Sequence, residues 1–334
     1  MKRTTIADVA KRANVSKSTV SQYLNGRYEY MGEETKKKIE EAIKELKFQP
    51  NIVARSLKQK KTSTIGVIVA NILHAFQTEV IRAIEDICHQ HDYHVIVCNS
   101  DDVPEKEKKY IEMLIAKQVD GLIVFPTNRN TDLYKQLVER RYPLVFMDRL
   151  VKDVGVDTVL LHNENAAKMA IEHFLEKGYE RIGIVTTSLV HQTTPRVERI
   201  EGYKKTLNEK DIPIREEYII ALPLEQIKAG LKKMFSVENP PQALLAGNDL
   251  ALMKILEFTK EQGLSVPNDV ALIGIDNPSF AHIYHPALTT IRPPSFEMGK
   301  KAADLLFEAI ANRKPDQTAR IYRFEPELIH RQSV

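Results

Sequence analysis

Residues 5–26 read T-I-A-D-V-A-K-R-A-N-V-S-K-S-T-V-S-Q-Y-L-N-G. Two short helical patterns flank a tight corner. In the first, Ile6, Val9, Ala10 and Ala13 recur at helical spacing on one face; in the second, Val20, Tyr23 and Leu24 do the same. Asn14-Val15-Ser16 lies between them. Asn tolerates the left-handed backbone that a sharp helix–helix corner needs, and Ser16 is a natural N-cap for the helix that follows. Two helices joined this tightly form a helix-turn-helix, whose second helix fits the major groove of DNA. Its outward residues Lys17, Ser18, Ser21 and Gln22 all donate hydrogen bonds, which suits phosphates and base edges.

Charge separates this reading from a small helical hairpin packed into a larger core. Residues 1–61 hold 15 Lys and Arg against 7 Asp and Glu, a net of +8, whereas the whole chain is +3 and the remainder therefore −5. A basic head on an acidic body is the pattern of a phosphate-binding module joined to a different domain.

At 334 residues the chain is long enough for two or three domains, and a hydrophobic fraction of 43% supplies proper cores. No apolar run approaches membrane-spanning length. Met1-Lys2-Arg3 leads straight into an amphipathic helix rather than an apolar signal segment, so a cytoplasmic location is expected. Cys88 and Cys98 read as buried free thiols of a reducing compartment. His89, His91 and His94 stand near Cys88 without zinc-like spacing and read as surface residues at a helix end; neither a metal nor a cofactor is expected. None of G-x-G-x-x-G, a P-loop, G-x-S-x-G or H-E-x-x-H occurs, which argues against an enzyme.

A third helix is expected over 33–47, with Ile39, Ala42, Ile43 and Leu46 as its apolar stripe. Pro50 closes that block, 51–58 reads as one or two turns of amphipathic helix, and the basic K-Q-K-K-T-S-T of 58–64 is a linker. The expected domains are a headpiece over 1–48, a hinge and linker over 49–61, and a core over 62–334. Short apolar runs at 64–70, 93–98, 120–125 and 144–147 alternate with helical patterns at 76–91, 105–117 and 131–140. A second series has strands at 181–186, 243–246 and 270–275 and helices at 164–177, 197–210, 225–235 and 249–262. Such alternation implies parallel sheets with helices on both faces, and two series imply two lobes. The fold class expected is α/β: an all-α helix-turn-helix headpiece plus two doubly wound parallel-sheet lobes. Ligands in such sheets bind beyond the carboxyl ends of the strands, here in the cleft between lobes.

The sequence resembles the lactose-repressor/purine-repressor family of bacterial transcription regulators over essentially its whole length. The segments that carry the likeness include T-I-A-D-V-A-K-R-A-N-V-S-K-S-T-V-S, P-N-I-V-A-R-S-L, V-D-G-L-I-V, F-M-D-R, R-I-E-G-Y, A-G-N-D-L-A, V-P-N-D-V-A-L-I-G-I-D and L-T-T-I-R-P-P. Within the family S-K-S-T-V-S-Q-Y-L-N, A-N-I-L-H-A-F and N-S-D-D-V-P-E-K-E-K-K-Y are most similar to repressors of 2-keto-3-deoxygluconate breakdown. The resemblance implies a hinge helix and a core of periplasmic-binding-protein type. It also implies a homodimer on double-stranded operator DNA, and no membrane partner. The DNA-binding residues it implies are Thr5, Ser16, Lys17, Ser18, Ser21, Gln22 and Asn25 of the headpiece and Asn51, Ala54 and Leu57 of the hinge, with Leu57 the minor-groove wedge. Many members carry Arg where Gln22 stands, and Gln favours adenine over guanine.

The effector-binding residues implied are Phe76, Asp148, Arg149, Arg199, Asn248 and Asp276, with Arg196 a second cation. The resemblance thus implies a repressor of a carbohydrate-catabolic operon, released by a small sugar or sugar-acid effector such as 2-keto-3-deoxygluconate. Its rivals within the family are a corepressor-dependent regulator and a global catabolite regulator with a phosphoprotein partner. Three arginines make the cleft read as cationic unless Arg149 pairs with Asp148 or Asp153. Each site residue also has a bland reading: Asp148 as a loop cap, Asp276 as a turn brace, Arg199 paired with Glu198 or Glu201, Phe76 as core. The chain departs from the family pattern in His74-Ala75-Phe76, where Asn-Pro-Phe is usual, in Pro293, where Gln is frequent, and in lacking a stacking aromatic around 223–225.

Overall fold

The computed structural model describes residues 4–29, 31–49, 61–312 and 318–334. Contacts divide the chain into two units, Met1–Thr62 and Ser63–Val334.

In the first unit α1 (Ile6–Ala13), α2 (Lys17–Leu24) and α3 (Glu33–Glu45) surround one small core. Val9, Ala10, Ala13, Val20, Ile39, Ala42 and Phe48 are buried together. The corner between α1 and α2 is made as its sequence expects: Asn14 takes φ 52° and ψ 47°, and the Ser16 hydroxyl accepts the Thr19 N–H at 3.1 Å. Glu33 and Glu34 open α3, where the helix dipole favours acids, and pair with Lys36 and Lys38.

The second unit contains two six-stranded sheets. The first has the order β11-β5-β4-β3-β1-β2, with β1 (Thr64–Val69), β2 (His94–Asn99), β3 (Gly121–Val124), β4 (Leu144–Met147), β5 (Thr158–Leu161) and β11 (Ile321–Phe324) all parallel. The second repeats that order as β12-β10-β9-β8-β6-β7, from β6 (Ile182–Thr187), β7 (Ile219–Leu222), β8 (Ala243–Ala246), β9 (Ala271–Ile275), β10 (Thr289–Arg292) and β12 (Glu327–Ile329). Only β12 runs antiparallel to its neighbour. Strand β4 of one lobe thus corresponds to β9 of the other.

The lobes are interleaved rather than consecutive. Helices α4 (Ala75–Gln90), α5 (Pro104–Ala116) and α6 (Thr131–Glu139) belong to the first lobe; α7 (Asn163–Glu176), α8 (Thr194–Glu209), α9 (Ile227–Phe235) and α10 (Asp249–Gln262) belong to the second. Helix α11 (Ser295–Ala311) returns to pack on α4, and β11 closes the first sheet before β12 closes the second. The chain therefore crosses between lobes three times, after β5, β10 and β11. Helix pairs within each lobe come close where glycine allows it. A Cβ on Gly202 would lie 2.5 Å from the Glu164 carbonyl oxygen, and one on Gly299 2.7 Å from that of Val80.

Sequence periodicity left out β5, β7, β10, β11, β12 and α11. Those strands are three or four residues long, too short for a period to show, and some are interrupted by polar residues, as in Thr289-Thr-Ile-Arg292. It also began α8 at residue 197, whereas Pro195 sits in the helix's first turn and starts it at Thr194. That difference puts Arg196 on the helix.

Candidate functional site

On α2, Lys17, Ser18 and Gln22 are exposed and Ser21 is half-buried, and the exposed C-cap Asn25 extends this polar face. Three of the expected DNA contacts, Ser16, Asn25 and Thr5, also hold the motif together. The Ser16 hydroxyl lies 2.6 and 2.8 Å from those of Ser18 and Thr19, and the Asn25 amide donates to the Ser21 carbonyl at 2.6 Å. Thr5 donates its N–H and its hydroxyl to Asp8 at 2.8 and 2.7 Å, closing the start of α1. Asn51, Ala54 and Leu57, and the expected hinge helix with them, lie outside the described residues.

In the core unit the C-terminal strand ends of the two sheets meet. Asp148 follows β4 and Asp276 follows β9, the same place in each sheet, and both carry left-handed backbone, φ 66° and 77°. Both are buried, and burial pushes both carboxyls up, Asp276 to about 6 with the nearby Asp249 adding to the effect. Arg199, on α8, donates through Nε to Asn163 Oδ1 at 2.9 Å and through Nη1 to the Gly247 carbonyl. Asn248 caps α10, its Oδ1 accepting the Ala251 N–H at 2.8 Å. Phe76 is part of the apolar wall, edge-on to Phe125 with centroids 6.5 Å apart.

Arg149 and Arg196 correct the expectation of a cationic cleft. Arg149 forms an ion pair with Asp148, Nε to Oδ2 3.9 Å, as one reading of the sequence expects, but its hydrogen bonds go elsewhere. Its Nη1 donates to Asp102 Oδ1 at 2.5 Å and to the Pro126 carbonyl at 3.1 Å. Arg196 donates Nη2 to the other oxygen of Asp102 at 2.6 Å and Nη1 to the Ser188 carbonyl at 2.8 Å. Burial opposes the ionisation of Asp102, but the two guanidinium groups prevail and hold its carboxyl well below the usual range. Asp102 comes from the first lobe and Arg196 from the second, so this bridge joins them.

Other bridges cross the same gap. His74 Nδ1 is 2.5 Å from Asp249 Oδ1, and the Ala75 N–H donates to Asp249 Oδ2 at 2.8 Å. The Asn128 amide reaches the Gln192 carbonyl, Arg129 the Val190 carbonyl, and the Thr194 hydroxyl accepts the Leu150 N–H. Donor atoms of His74, Asp249 and Asp276 lie within 4.8 Å of one another. The carboxylates there already accept backbone N–H groups, which marks the trio as a polar latch.

A second set of atoms distinguishes this region. The hydroxyls of Thr186, Thr187 and Thr193, Asn128 Oδ1, His191 Nδ1 and Arg149 Nε are buried without a hydrogen-bond partner. All lie on loops or strand ends on the cleft side of the two sheets. Buried polar groups are costly unless paired, so such a concentration is what a site prepared for a polar ligand presents. Sequence reasoning missed Asp102, Asp249, Asn163 and the threonines. The Asp doublet in N-S-D-D, directly after β2, was the one signal available, since a strand end in an open α/β sheet is where a carboxylate counts.

Two family models match. Bacterial regulatory proteins of the lacI family match residues 5–51, and the periplasmic binding protein-like domain matches residues 171–334. The probable HTH-type transcriptional regulator EndR of Paenibacillus polymyxa is 51% identical over 99% of this chain and 98% of its own length. The chain belongs to the lacI family. The HTH-type transcriptional regulator KdgR of Bacillus subtilis (strain 168) is 35% identical over 99% of this chain and 98% of its own. Among solved structures, the Lac repressor bound to ONPG in its repressed state matches with a TM-score of 0.86 at 24% identity, covering all of both chains; at that identity it speaks for the fold alone. As a lacI-family protein the chain is a DNA-binding transcriptional repressor and not an enzyme. Among the described residues no helix is long and apolar enough to cross a membrane.

Proposed function

We propose that this lacI-family protein acts in the cytoplasm as a homodimer on a pseudo-palindromic operator of a carbohydrate-catabolic operon, and that a small sugar-type effector in the cleft between the core lobes releases it. The observation that carries the reading is the meeting of Asp148, Arg199, Asn248 and Asp276 with the buried, unpartnered hydroxyls of Thr186, Thr187 and Thr193. Hydroxyl-rich ligands donate and accept at once, which such a lining requires. Lys17, Ser18, Ser21 and Gln22 read the major groove, Thr5, Ser16 and Asn25 support them, and Asn51, Ala54 and Leu57 act at the operator centre.

The release step follows from connectivity. Three crossings form a hinge between the lobes, and the linker to the headpiece enters the first lobe at β1. An effector that draws the lobes together moves the origin of that linker, and the hinge segments of two protomers no longer pair on DNA. Effector and operator then oppose one another reciprocally. The test is fluorescence anisotropy of a labelled operator, selected from random sequence, titrated with the full chain with and without sugars. The panel includes 2-keto-3-deoxygluconate, the acid to which the family resemblance leads. Release by one of them supports the proposal; tighter binding marks a corepressor; indifference to every sugar and sugar acid sinks the effector assignment.

A further inference from the structure

We propose that Asp102 sets the charge of the effector: its carboxylate fills, from within the chain, the place between Arg149 and Arg196 that the carboxylate of an acidic sugar would take, so the cleft accepts a neutral, hydroxyl-rich sugar. This rests on the sugar-effector reading above and refines it.

The bridge is built for one carboxylate. Each oxygen of Asp102 takes a different guanidinium, at 2.5 and 2.6 Å, and each guanidinium fills a further position with a backbone carbonyl, Pro126 or Ser188. The Asp102 backbone is pinned. Its N–H donates to the Ala70 carbonyl at 2.9 Å, Ser100 donates to Val69 at 2.9 Å, and Asp101 and Asp102 both adopt positive φ, 53° and 57°, which Asp tolerates. An incoming carboxylate would have to break two charge-assisted bonds in a buried setting and strip Asp102 of both its guanidinium partners.

The remaining lining repels anions. Arg149 and Arg196 share the single carboxylate of Asp102 and keep one positive charge between them, and Arg199 adds another against the carboxyls of Asp148, Asp249 and Asp276. Burial pushes the carboxyls of Asp148 and Asp276 up, Asp276 to about 6; as carboxylates they accept from sugar hydroxyls and oppose a second anion. The unpartnered atoms are three hydroxyls, an amide oxygen, an imidazole nitrogen and one guanidinium N–H. The hydroxyls and the amide oxygen among them are neutral groups that match sugar hydroxyls.

Glucose and glucuronate differ at a single carbon, alcohol against carboxylate, and so isolate charge. Isothermal titration of the full chain should find glucuronate bound more weakly than glucose. Asp102→Asn keeps the side chain's shape and removes its charge; it should tighten glucuronate by about tenfold or more, the scale of one well-formed charge interaction, and shift glucose by a clearly smaller factor. Where neither form takes glucose, the glucuronate arm decides alone. A gain confined to Asp102→Asn supports the proposal, and no gain overturns it. Wild type binding glucuronate more tightly than glucose also overturns it, without recourse to any variant. Asp102→Ser carries the same expectation should the Asn variant lose its cooperative melt. Failure here leaves the operator-release reading standing, since that reading falls only when no sugar or sugar acid moves operator binding.

Discussion

Nδ1 of His74 and Oδ1 of Asp249 stand 2.5 Å apart, tying the residue that caps α4 in the first lobe to the first residue of α10 in the second. Asp249 is placed to hold both lobes at once, because its other oxygen accepts the Ala75 N–H. Burial works against its ionisation, yet the His74 ring and backbone N–H groups hold the carboxyl below its usual range. For an acid with a depressed folded-state value, the stabilisation is present above the unfolded value of about 3.9 and is lost as pH falls through the folded one. His74→Ala should remove about 2 kcal/mol, the worth of one charge-assisted hydrogen bond. The melting temperature of the core should fall by roughly 4–8 °C at neutral pH, and the deficit should shrink toward pH 3. A melt unchanged at neutral pH would show that the contact contributes nothing.

Asp276 works in the opposite sense. Its folded-state value is raised to about 6, so it contributes stability below the ordinary Asp range and loses it as pH rises through about 6. Asp276→Asn keeps an oxygen for the Asp249 N–H and carries no charge. The variant should melt above wild type at pH 7.5, and the gap should narrow at pH 4.5, while sugar binding is lost. A variant less stable than wild type at pH 7.5 would contradict the assignment. Such an exchange of function for stability is common where a site keeps a buried charge.

The contrast between these acids and the arginines marks how far the sequence could be read. The α1–α2 corner was legible because Asn14 and Ser16 act locally, through left-handed backbone and a cap. The strand–helix alternation likewise gave both lobes, since runs such as T-I-G-V-I-V and A-L-I-G-I declare themselves. What escaped was long-range. Asp102 is 47 residues from Arg149 and 94 from Arg196, and no local pattern says that β2's loop reaches both. The return of α11 and β11 to the first lobe was hidden for the same reason. A helix carries no mark of which sheet it will cover.

Arg199 is a cation outside the Asp102 bridge that can meet the effector. It is buried, and it is positioned by Asn163, whose amide in turn donates to Glu198 at 3.1 Å, itself held by Arg323 of β11. Arg199→Ala should leave operator affinity within about threefold of wild type and reduce the effector's ability to release DNA by tenfold or more, roughly 1.4 kcal/mol. Wild-type release from Arg199→Ala would remove it from the site.

In the headpiece, Gln22 is exposed on α2 and free of the capping that engages Ser16 and Asn25. Gln22→Arg should shift the preference at one base pair of each half-site by about 1–3 kcal/mol, from adenine toward guanine. Ser16→Ala should instead destabilise α2 by about 1 kcal/mol and weaken all operators alike. Identical half-site profiles for wild type and Gln22→Arg would place Gln22 against phosphate or solvent.

Operator release is the most direct measurement of the whole. A labelled operator is selected from random sequence with the full chain, and its affinity is then measured at rising salt, with and without the sugar panel. Expected are a pseudo-palindromic site, affinity that falls steeply with salt as phosphate contacts require, and weakening of tenfold or more by at least one sugar. No selectable sequence, or a selected operator that no sugar or sugar acid releases, would contradict a sugar-released repressor.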